Sequence, residues 1–237
     1  MLLTVLMPLF NEERTAAEII QQVIDLPLQL ELIIINNGSD DATGMIIRQF
    51  GDQSNIRIID RDKNIGKGDA ITEGLKLAQG KYTVIQDGDL EYDPNDLVRM
   101  VKLAEREMAP VVFGSRILNP ASGISYQRYL WGGKLLTWLA NFLYGVGITD
   151  ESTCYKMIRT NIMKGLNLEC RRFEFCPEVV AKLGRNKIKI VEIPITYRPR
   201  NFAEGKKIRW FDGAEAIWTL LKYRFQSMRR FAVKNQK

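Results

Sequence analysis

With 237 residues, 46% of them apolar and 26% charged, the chain has ample sequence for a core, which excludes a disordered polypeptide. It contains no histidine. Ser-His-Asp and Cys-His mechanisms and histidine-bound metals are therefore removed; acid–base work falls to carboxylates, Lys or Tyr, and any metal is a hard, oxygen-bound one. The three cysteines, Cys154, Cys170 and Cys176, are odd in number and lack a CxxC spacing, so neither a disulfide framework nor a cysteine-built zinc site is expected, and a reducing compartment is the default.

In chain order, residues 2–7 form a short apolar run. The opening MLLTVLMPLF has no basic n-region and stops at Pro8 and Asn11-Glu12-Glu13, too short for a signal peptide or a spanning helix. A helix follows with Ala16, Ile19, Ile20, Val23 and Ile24 on one side. Residues 32–35 read as a buried strand, 42–50 as a short helix, 56–59 as a third strand, 69–78 as a helix and 82–85 as a fourth strand. Residues 95–106 are helical and 111–113 make a fifth strand. Continuous apolar strands separated by helices predict a parallel sheet covered on both faces, with ligands beyond its carboxyl edge. The polar clusters Asn11-Glu12-Glu13, Asn36-Asn37-Gly38-Ser39-Asp40-Asp41 and Asp87-Gly88-Asp89 all fall at that edge.

Beyond Arg116 an aromatic-rich amphipathic stretch covers 126–144, then a polar turn at 149–153, a short strand, two helical pieces and a strand at 188–193. In the tail, Ala214, Ile217, Trp218, Leu221, Phe225 and Met228 keep helical spacing. The expected organisation is one domain over 1–212, including the acceptor-side region, followed by a basic amphipathic helix and tail over 213–237. From residue 185 onward there are 14 Lys and Arg against four Asp and Glu, and before it 20 against 24. A basic tail on a mildly acidic body points to an anionic partner. The tail's aromatic face either lies on an anionic leaflet or packs on the domain; nucleic acid is not expected, because no binding motif accompanies the charge.

The sharpest local signal is Gln86-Asp87-Gly88-Asp89-Leu90-Glu91 just after a strand. Three carboxylates within five residues repel one another, and a Mg²⁺ or Mn²⁺ ion relieves this while neutralising a diphosphate. A solvated acidic turn is the alternative. Asn64-Ile65-Gly66-Lys67-Gly68 is a Gly-rich turn opening a helix, whose amides and Lys67 suit a phosphate or mark only a strand-to-helix turn. Cys154 and Tyr155 read as packing residues, since no base partner accompanies them.

Pro8-Leu9-Phe10-Asn11-Glu12-Glu13, Asn37-Gly38-Ser39, the Asn64–Gly68 turn and Asp87-Gly88-Asp89-Leu90 stand in the order seen in family-2 glycosyltransferases. Gly114-Ser115-Arg116, Thr149-Asp150-Glu151-Ser152-Thr153-Cys154-Tyr155-Lys156, Glu192-Ile193-Pro194-Ile195 and Arg200-Asn201-Phe202-Ala203-Glu204-Gly205-Lys206-Lys207 follow. The whole set resembles the dolichol-phosphate mannose synthase-like branch, polyprenyl-phosphate glycosyltransferases of the A-type fold. That resemblance implies an α/β fold, a Rossmann-like, mostly parallel sheet with helices on both faces and a basic C-terminal helical extension. It implies that Pro8, Phe10 and Glu12 line base and ribose, that Asn37 and Lys67 stand at the donor, and that Asp87 and Asp89 form the DxD. Asp89 is then the direct metal ligand, with Glu91 able to complete the coordination. Arg116 and Arg128 face the acceptor phosphate, and Arg200 and Lys206 lie in a loop closing over the diphosphate.

The family usually carries two aspartates where this chain has Asn36 and Asn37, which bears on the nucleotide base; alternatively the pair marks a tight turn. The implied activity is metal-dependent, inverting transfer of a hexose from a GDP-mannose or UDP-glucose type of donor to a polyprenyl phosphate. An anionic acceptor needs no base, so Asp150 would orient the acceptor or the loop. With a sugar hydroxyl as acceptor, Asp150 or Glu151 would be the base. A nucleotide-sugar or membrane-binding module without turnover is the non-enzymatic alternative. A cytoplasmic enzyme, peripheral at the inner face of the membrane and recruited by its tail or by a membrane subunit, completes the expectation.

Overall fold

Aliphatic runs without polar interruption form strands here because helices cover both of their faces. Every residue of the second strand, Leu30–Asn37, is buried. The computed structural model describes residues 1–120, 127–200 and 210–226, apart from the side chains of 127–130 and 210. The strands are β1 (Leu3–Leu9), β2 (Leu30–Asn37), β3 (Ile56–Arg61), β4 (Tyr82–Ile85), β5 (Val111–Ser115), β6 (Lys156–Arg159) and β7 (Val191–Pro194). They form one seven-stranded sheet in the order β3-β2-β1-β4-β6-β5-β7. The helices are α1 (Ala16–Ile24), α2 (Thr43–Arg48), α3 (Lys67–Leu77), α4 (Asn95–Arg106), α5 (Gln127–Tyr144), α6 (Thr160–Gly165), α7 (Phe175–Arg185) and α8 (Trp210–Phe225).

The β1–β2, β1–β4, β2–β3 and β5–β7 pairs are parallel, whereas β6 runs antiparallel to both β4 and β5. This reversal positions the site. A strand of opposite sense starts where its neighbours end, so residues 149–155, which lead into β6, arrive at the same edge as the segments that follow β1, β2, β4, β5 and β7. Segments far apart in sequence therefore meet at one carboxyl edge.

Two expected elements shift. The strand anticipated over 188–193 begins later, at Val191, because Ile188 closes the turn after α7, its amide donating to the Leu183 carbonyl (3.1 Å). The boundary anticipated between 212 and 213 falls inside α8, which packs against α7 and α5.

The docking of α8 decides what its aromatic stripe faces. Ala216, Thr219, Leu220 and Tyr223 are buried, whereas Trp218 and Phe225 are 66% and 82% exposed. Among the described residues of the stripe, Trp218 and Phe225 thus face away from the domain, Ile217 and Leu221 are half-buried, and Met228 lies outside the described residues. The opposite face of α8 is held by specific hydrogen bonds: the Tyr144 hydroxyl donates to the Leu220 carbonyl (2.5 Å), and Arg185 donates to the carbonyls of Tyr223 (2.6 Å) and Gln226 (2.5 Å). The Tyr223 hydroxyl donates to Glu178 (2.9 Å), a buried carboxylate paired with Lys182 (2.5 Å). On the adjacent α5, Trp131, Leu135, Trp138 and Phe142 are exposed at helical spacing. No described helix is long and apolar enough to cross a membrane.

Candidate donor and acceptor sites

The segment after β1 and that after β2 are laced together. The Asn11 amide donates to Ser39 Oγ (3.1 Å) and the Glu12 amide to Thr43 Oγ1 (2.9 Å), while Asn11 Nδ2 donates to Asp40 (2.5 Å). Pro8, Phe10 and Glu12 stand on this rim, partly exposed. Behind it, Asn36 and Asn37 are buried, and the side chain of each donates one hydrogen bond and accepts one within the chain. Asn36 donates to Asp60 (2.7 Å) and accepts from the Ser39 amide (3.2 Å); Asn37 donates to Asn64 Oδ1 (2.9 Å) and accepts from Arg61 (3.1 Å). The pair therefore braces the turn after β2 and ties it to the end of β3.

The DxD turn sits one strand over. Gly88 lets its turn pack closely on β1, since a Cβ there would lie 2.2 Å from Leu9 Cδ2 and force that side chain to shift. Gln86 anchors the turn from below: it accepts from the Tyr155 hydroxyl (2.5 Å) and donates to the Asp87 carbonyl (3.0 Å). Asp87 forms an ion pair with Lys67. Burial by itself raises the Asp87 pKa, but Lys67 outweighs it and holds the carboxyl below the usual carboxylate range. Asp89 is raised to about 7, chiefly by burial and then by the charges of Asp87 and Glu91, with Arg200 opposing.

Of the two readings of the Gly66–Gly68 turn, the backbone contacts favour the strand-to-helix turn over a cradle of free amides. The Gly68 and Asp69 amides donate to the Arg172 (3.0 Å) and Arg171 (3.1 Å) carbonyls, so these helix-opening donors are spent within the chain. A Cβ on Gly66, whose φ is +129°, would lie 2.2 Å from the Arg171 carbonyl oxygen. The turn serves to bring Lys67 to Asp87.

Arg200 binds three carboxylates: Asp89 (3.0 Å), Glu12 (3.2 Å) and, more distantly, Glu91 (3.8 Å). Glu91 itself is gripped by the segment after β7, accepting from the Tyr197 hydroxyl (2.7 Å) and the Arg200 amide (2.9 Å). Lys206 lies outside the described residues, as does the side chain of Arg128.

Across the edge from these, Arg116 follows β5. Its side chain donates to both oxygens of Asp150 (2.7 and 2.8 Å) and its amide donates again to Oδ2 (3.0 Å). Burial pushes the Asp150 pKa up, but Arg116 dominates and leaves it below the usual range. The Asp150 amide donates to Glu192 Oε1 (3.3 Å), and that of Thr149 to Oε2 (2.8 Å), so β7 fixes this turn. Glu151 is buried, which raises its pKa, and its Oε1 has no hydrogen-bond partner. Gln86, Tyr155, Tyr197 and Glu192 were not singled out from the sequence as site residues. Glu192 lay in a quoted motif, but nothing local announced its grip on residues 149–150.

Among the described residues no group of three or more Cys, Asp or Glu side chains can by itself hold a metal ion. The donor chemistry nevertheless fits one. Asp87 and Asp89 are hard oxygen donors, and Asp89 stays destabilised as an anion even with Arg200 beside it. An ion that takes its remaining ligands from water and a diphosphate suits this pair.

A carboxylate pair at the edge of a mostly parallel sheet, flanked by Lys67, Arg116 and Arg200, belongs to the A-type class of glycosyltransferase folds, and the comparisons agree. The chain belongs to glycosyl transferase family 2, whose model matches residues 4–166. It is 29% identical over 214 residues to the dodecaprenyl-phosphate galacturonate synthase of Rhizobium johnstonii, covering 86% of this chain and 61% of the relative. It is 25% identical over 214 residues to the polyprenol monophosphomannose synthase of Mycolicibacterium smegmatis, covering 85% of this chain and 79% of that one. The chain thus spans less than two thirds of the first of these relatives. In fold it is similar to the crystal structure of glucosyl-3-phosphoglycerate synthase from Mycobacterium tuberculosis in complex with Mn²⁺, UDP and phosphoglyceric acid. The TM-score is 0.69 at 18% identity, covering 96% of this chain and 80% of that one.

The charge crowding at Asp89 gives a pH signature. A carboxyl whose folded pKa exceeds its unfolded one costs stability as pH rises through the interval between them, here from about 4 to about 7. In EDTA, Asp89→Asn is expected to melt close to wild type at pH 5 and to gain about 1 kcal/mol or more by pH 8, roughly 2–4 °C in Tm. A constant difference across that range, measured by thermal melts, contradicts the crowding.

Proposed function

We propose that the protein transfers a hexose from a nucleoside diphosphate sugar to a polyprenyl phosphate, with inversion at the sugar. The observation that carries this reading is the complete commitment of Asp150 to Arg116. A carboxylate accepting three hydrogen bonds and held at low pKa is a poor base. A phosphate acceptor needs none, being anionic at neutral pH. Glu151 is the other candidate base in the glycan-acceptor alternative, and its full burial counts against that role.

Under this reading a phosphate oxygen of the lipid attacks the sugar C1, the bond from C1 to the diphosphate oxygen breaks, and the nucleoside diphosphate departs with that electron pair. Pro8, Phe10, Glu12 and Asn37 form the nucleoside end of the donor site, with Lys67 and Arg200 toward the diphosphate. Asp87 and Asp89 would hold a Mg²⁺ or Mn²⁺ ion, which when bound would neutralise charge on the diphosphate. Arg116 meets the acceptor phosphate, oriented by Asp150; Ile117 and Leu118, exposed beside it, suit the first apolar units of the lipid. Arg128 and Lys206 are assigned by resemblance to the acceptor and donor phosphates. The names of the relatives from Rhizobium johnstonii and Mycolicibacterium smegmatis, a dodecaprenyl-phosphate galacturonate synthase and a polyprenol monophosphomannose synthase, support the acceptor class.

The exposed Trp131, Leu135, Trp138 and Phe142 of α5 and the Phe211, Trp218 and Phe225 of α8 support peripheral attachment to an anionic leaflet, where the acceptor resides. Lys134, Lys222 and Arg224 stand among them.

The testing assay follows label from UDP- and GDP-hexoses into solvent-extractable undecaprenyl phosphate, with Mn²⁺ and with EDTA. Lipid-dependent, EDTA-sensitive transfer is expected, and transfer to short glycans without lipid overturns the reading. In that assay Asp150→Asn is expected to raise KM for the lipid phosphate about tenfold and to leave kcat within about threefold. A kcat lowered about 10³-fold at unchanged KM restores Asp150 as base. Trp138→Glu with Trp218→Glu is expected to abolish sedimentation with anionic vesicles while preserving the melting temperature; undiminished sedimentation refutes the membrane face.

A further inference from the structure

The two halves of the site are physically joined through one side chain that neither half explains. The Tyr197 ring lies against the Arg116 guanidinium, 5.0 Å from centroid to the guanidinium carbon, and its hydroxyl donates to Glu91 Oε2 at 2.7 Å. Glu91 receives two more hydrogen bonds from the same segment: the Arg198 amide donates to its carbonyl (2.8 Å) and the Arg200 amide to Oε1 (2.9 Å). The Arg200 side chain then reaches Asp89 and Glu12. On the opposite side, Arg116 is fixed by Asp150. Tyr197 is itself steadied from beneath, by an antiparallel bridge to Tyr92 and by that residue's ring at 5.2 Å. The chain of contacts from Asp89 to Asp150 is therefore continuous, through Arg200, Glu91, Tyr197 and Arg116.

This continuity has a physical consequence. A cation arriving at Asp89 repels the Arg200 guanidinium bound there, and a diphosphate beside it offers Arg200 a new partner. A guanidinium that leaves Asp89 and Glu12 also withdraws its charge from Glu91, which the Arg200 amide and the Tyr197 hydroxyl both hold, and so alters how strongly Glu91 accepts from Tyr197. In the other direction, an anion that draws Arg116 from Asp150 takes the cation off the Tyr197 ring. Resting on the proposed function for what each half binds, we propose that Tyr197 is a positioning residue that couples occupancy of the donor half of the site to that of the acceptor half. It touches neither substrate; it acts through Glu91 and Arg116.

Binding coupling is reciprocal and is read as a ratio of dissociation constants, which a purely structural role leaves untouched. The experiment titrates the intact chain with UDP and with GDP in Mn²⁺, each without and with saturating farnesyl phosphate. For the nucleotide that binds, farnesyl phosphate is expected to change Kd by about fivefold or more in wild type. Tyr197→Phe keeps the ring and loses the hydroxyl, and is expected to bring that ratio within about twofold of unity while each ligand alone binds within about threefold of wild type. Glu91→Ala, which removes the acceptor from the opposite end, is expected to lose the coupling likewise. Wild type that binds both ligands independently, or a Tyr197→Phe ratio equal to that of wild type, overturns the proposal. Wild type that binds no nucleotide, or no farnesyl phosphate, removes the proposed function itself and the coupling with it.

Discussion

Four carboxylates, Glu12, Asp87, Asp89 and Glu91, meet at one edge of the sheet, and the arrangement of the site follows from the need to neutralise them. Lys67 answers Asp87, and Arg200 answers Asp89, Glu12 and Glu91. Like charges this close and this buried are stable only with cations supplied from elsewhere in the chain. Those cations come from α3 and from the segment after β7, so the donor side gathers elements that are remote in sequence. Asp89 remains the least satisfied of the set, with its pKa raised to about 7, and that deficit is what a divalent ion and a diphosphate would relieve.

The part of the site around Arg116 solves a smaller version of the same problem. One buried aspartate, Asp150, is matched by one arginine, Arg116, in a bidentate pair, and Glu192 fixes the turn that carries the aspartate. The inverted strand β6 makes this possible, because it delivers residues 149–155 to the edge where β5 ends. Lys156, at the start of β6, is wholly buried and donates to the carbonyls of Glu151 (2.6 Å) and Thr153, stiffening the same turn from inside.

Much of this was legible in the sequence, and the parts that were not share a cause. The strands β1 to β5 and the helix Asn95–Arg106 announce themselves by uninterrupted aliphatic runs and by a 3.6-residue period, which depend on local burial alone. The Asp87-Gly88-Asp89 turn stood out as an acidic cluster just after a strand and Lys67 as part of a Gly-rich turn opening a helix, whereas Arg116 was pointed to only by the resemblance of its motif. What the sequence did not disclose was pairing. Nothing near Asp150 announces Arg116, 34 residues away, as its partner, nor Tyr197 as a partner of Glu91. The amides of Gly68 and Asp69 looked free until the carbonyls of Arg171 and Arg172 were placed against them. The tail showed its apolar stripe clearly but not the direction it faces, which is set by the hydrogen bonds of Tyr223 and Tyr144 on the opposite side of α8.

The proposed transfer depends on a donor site in which Asp87 and Asp89 would hold a metal. The most direct test of that site is the Mn²⁺ EPR spectrum of the protein, recorded alone and with UDP or GDP. Weak binding of Mn²⁺ alone, tightened at least about tenfold by one nucleoside diphosphate, is expected, with phosphorus hyperfine coupling in the ternary complex. Nucleotide binding of equal strength in EDTA, with no phosphorus coupling to Mn²⁺, contradicts it.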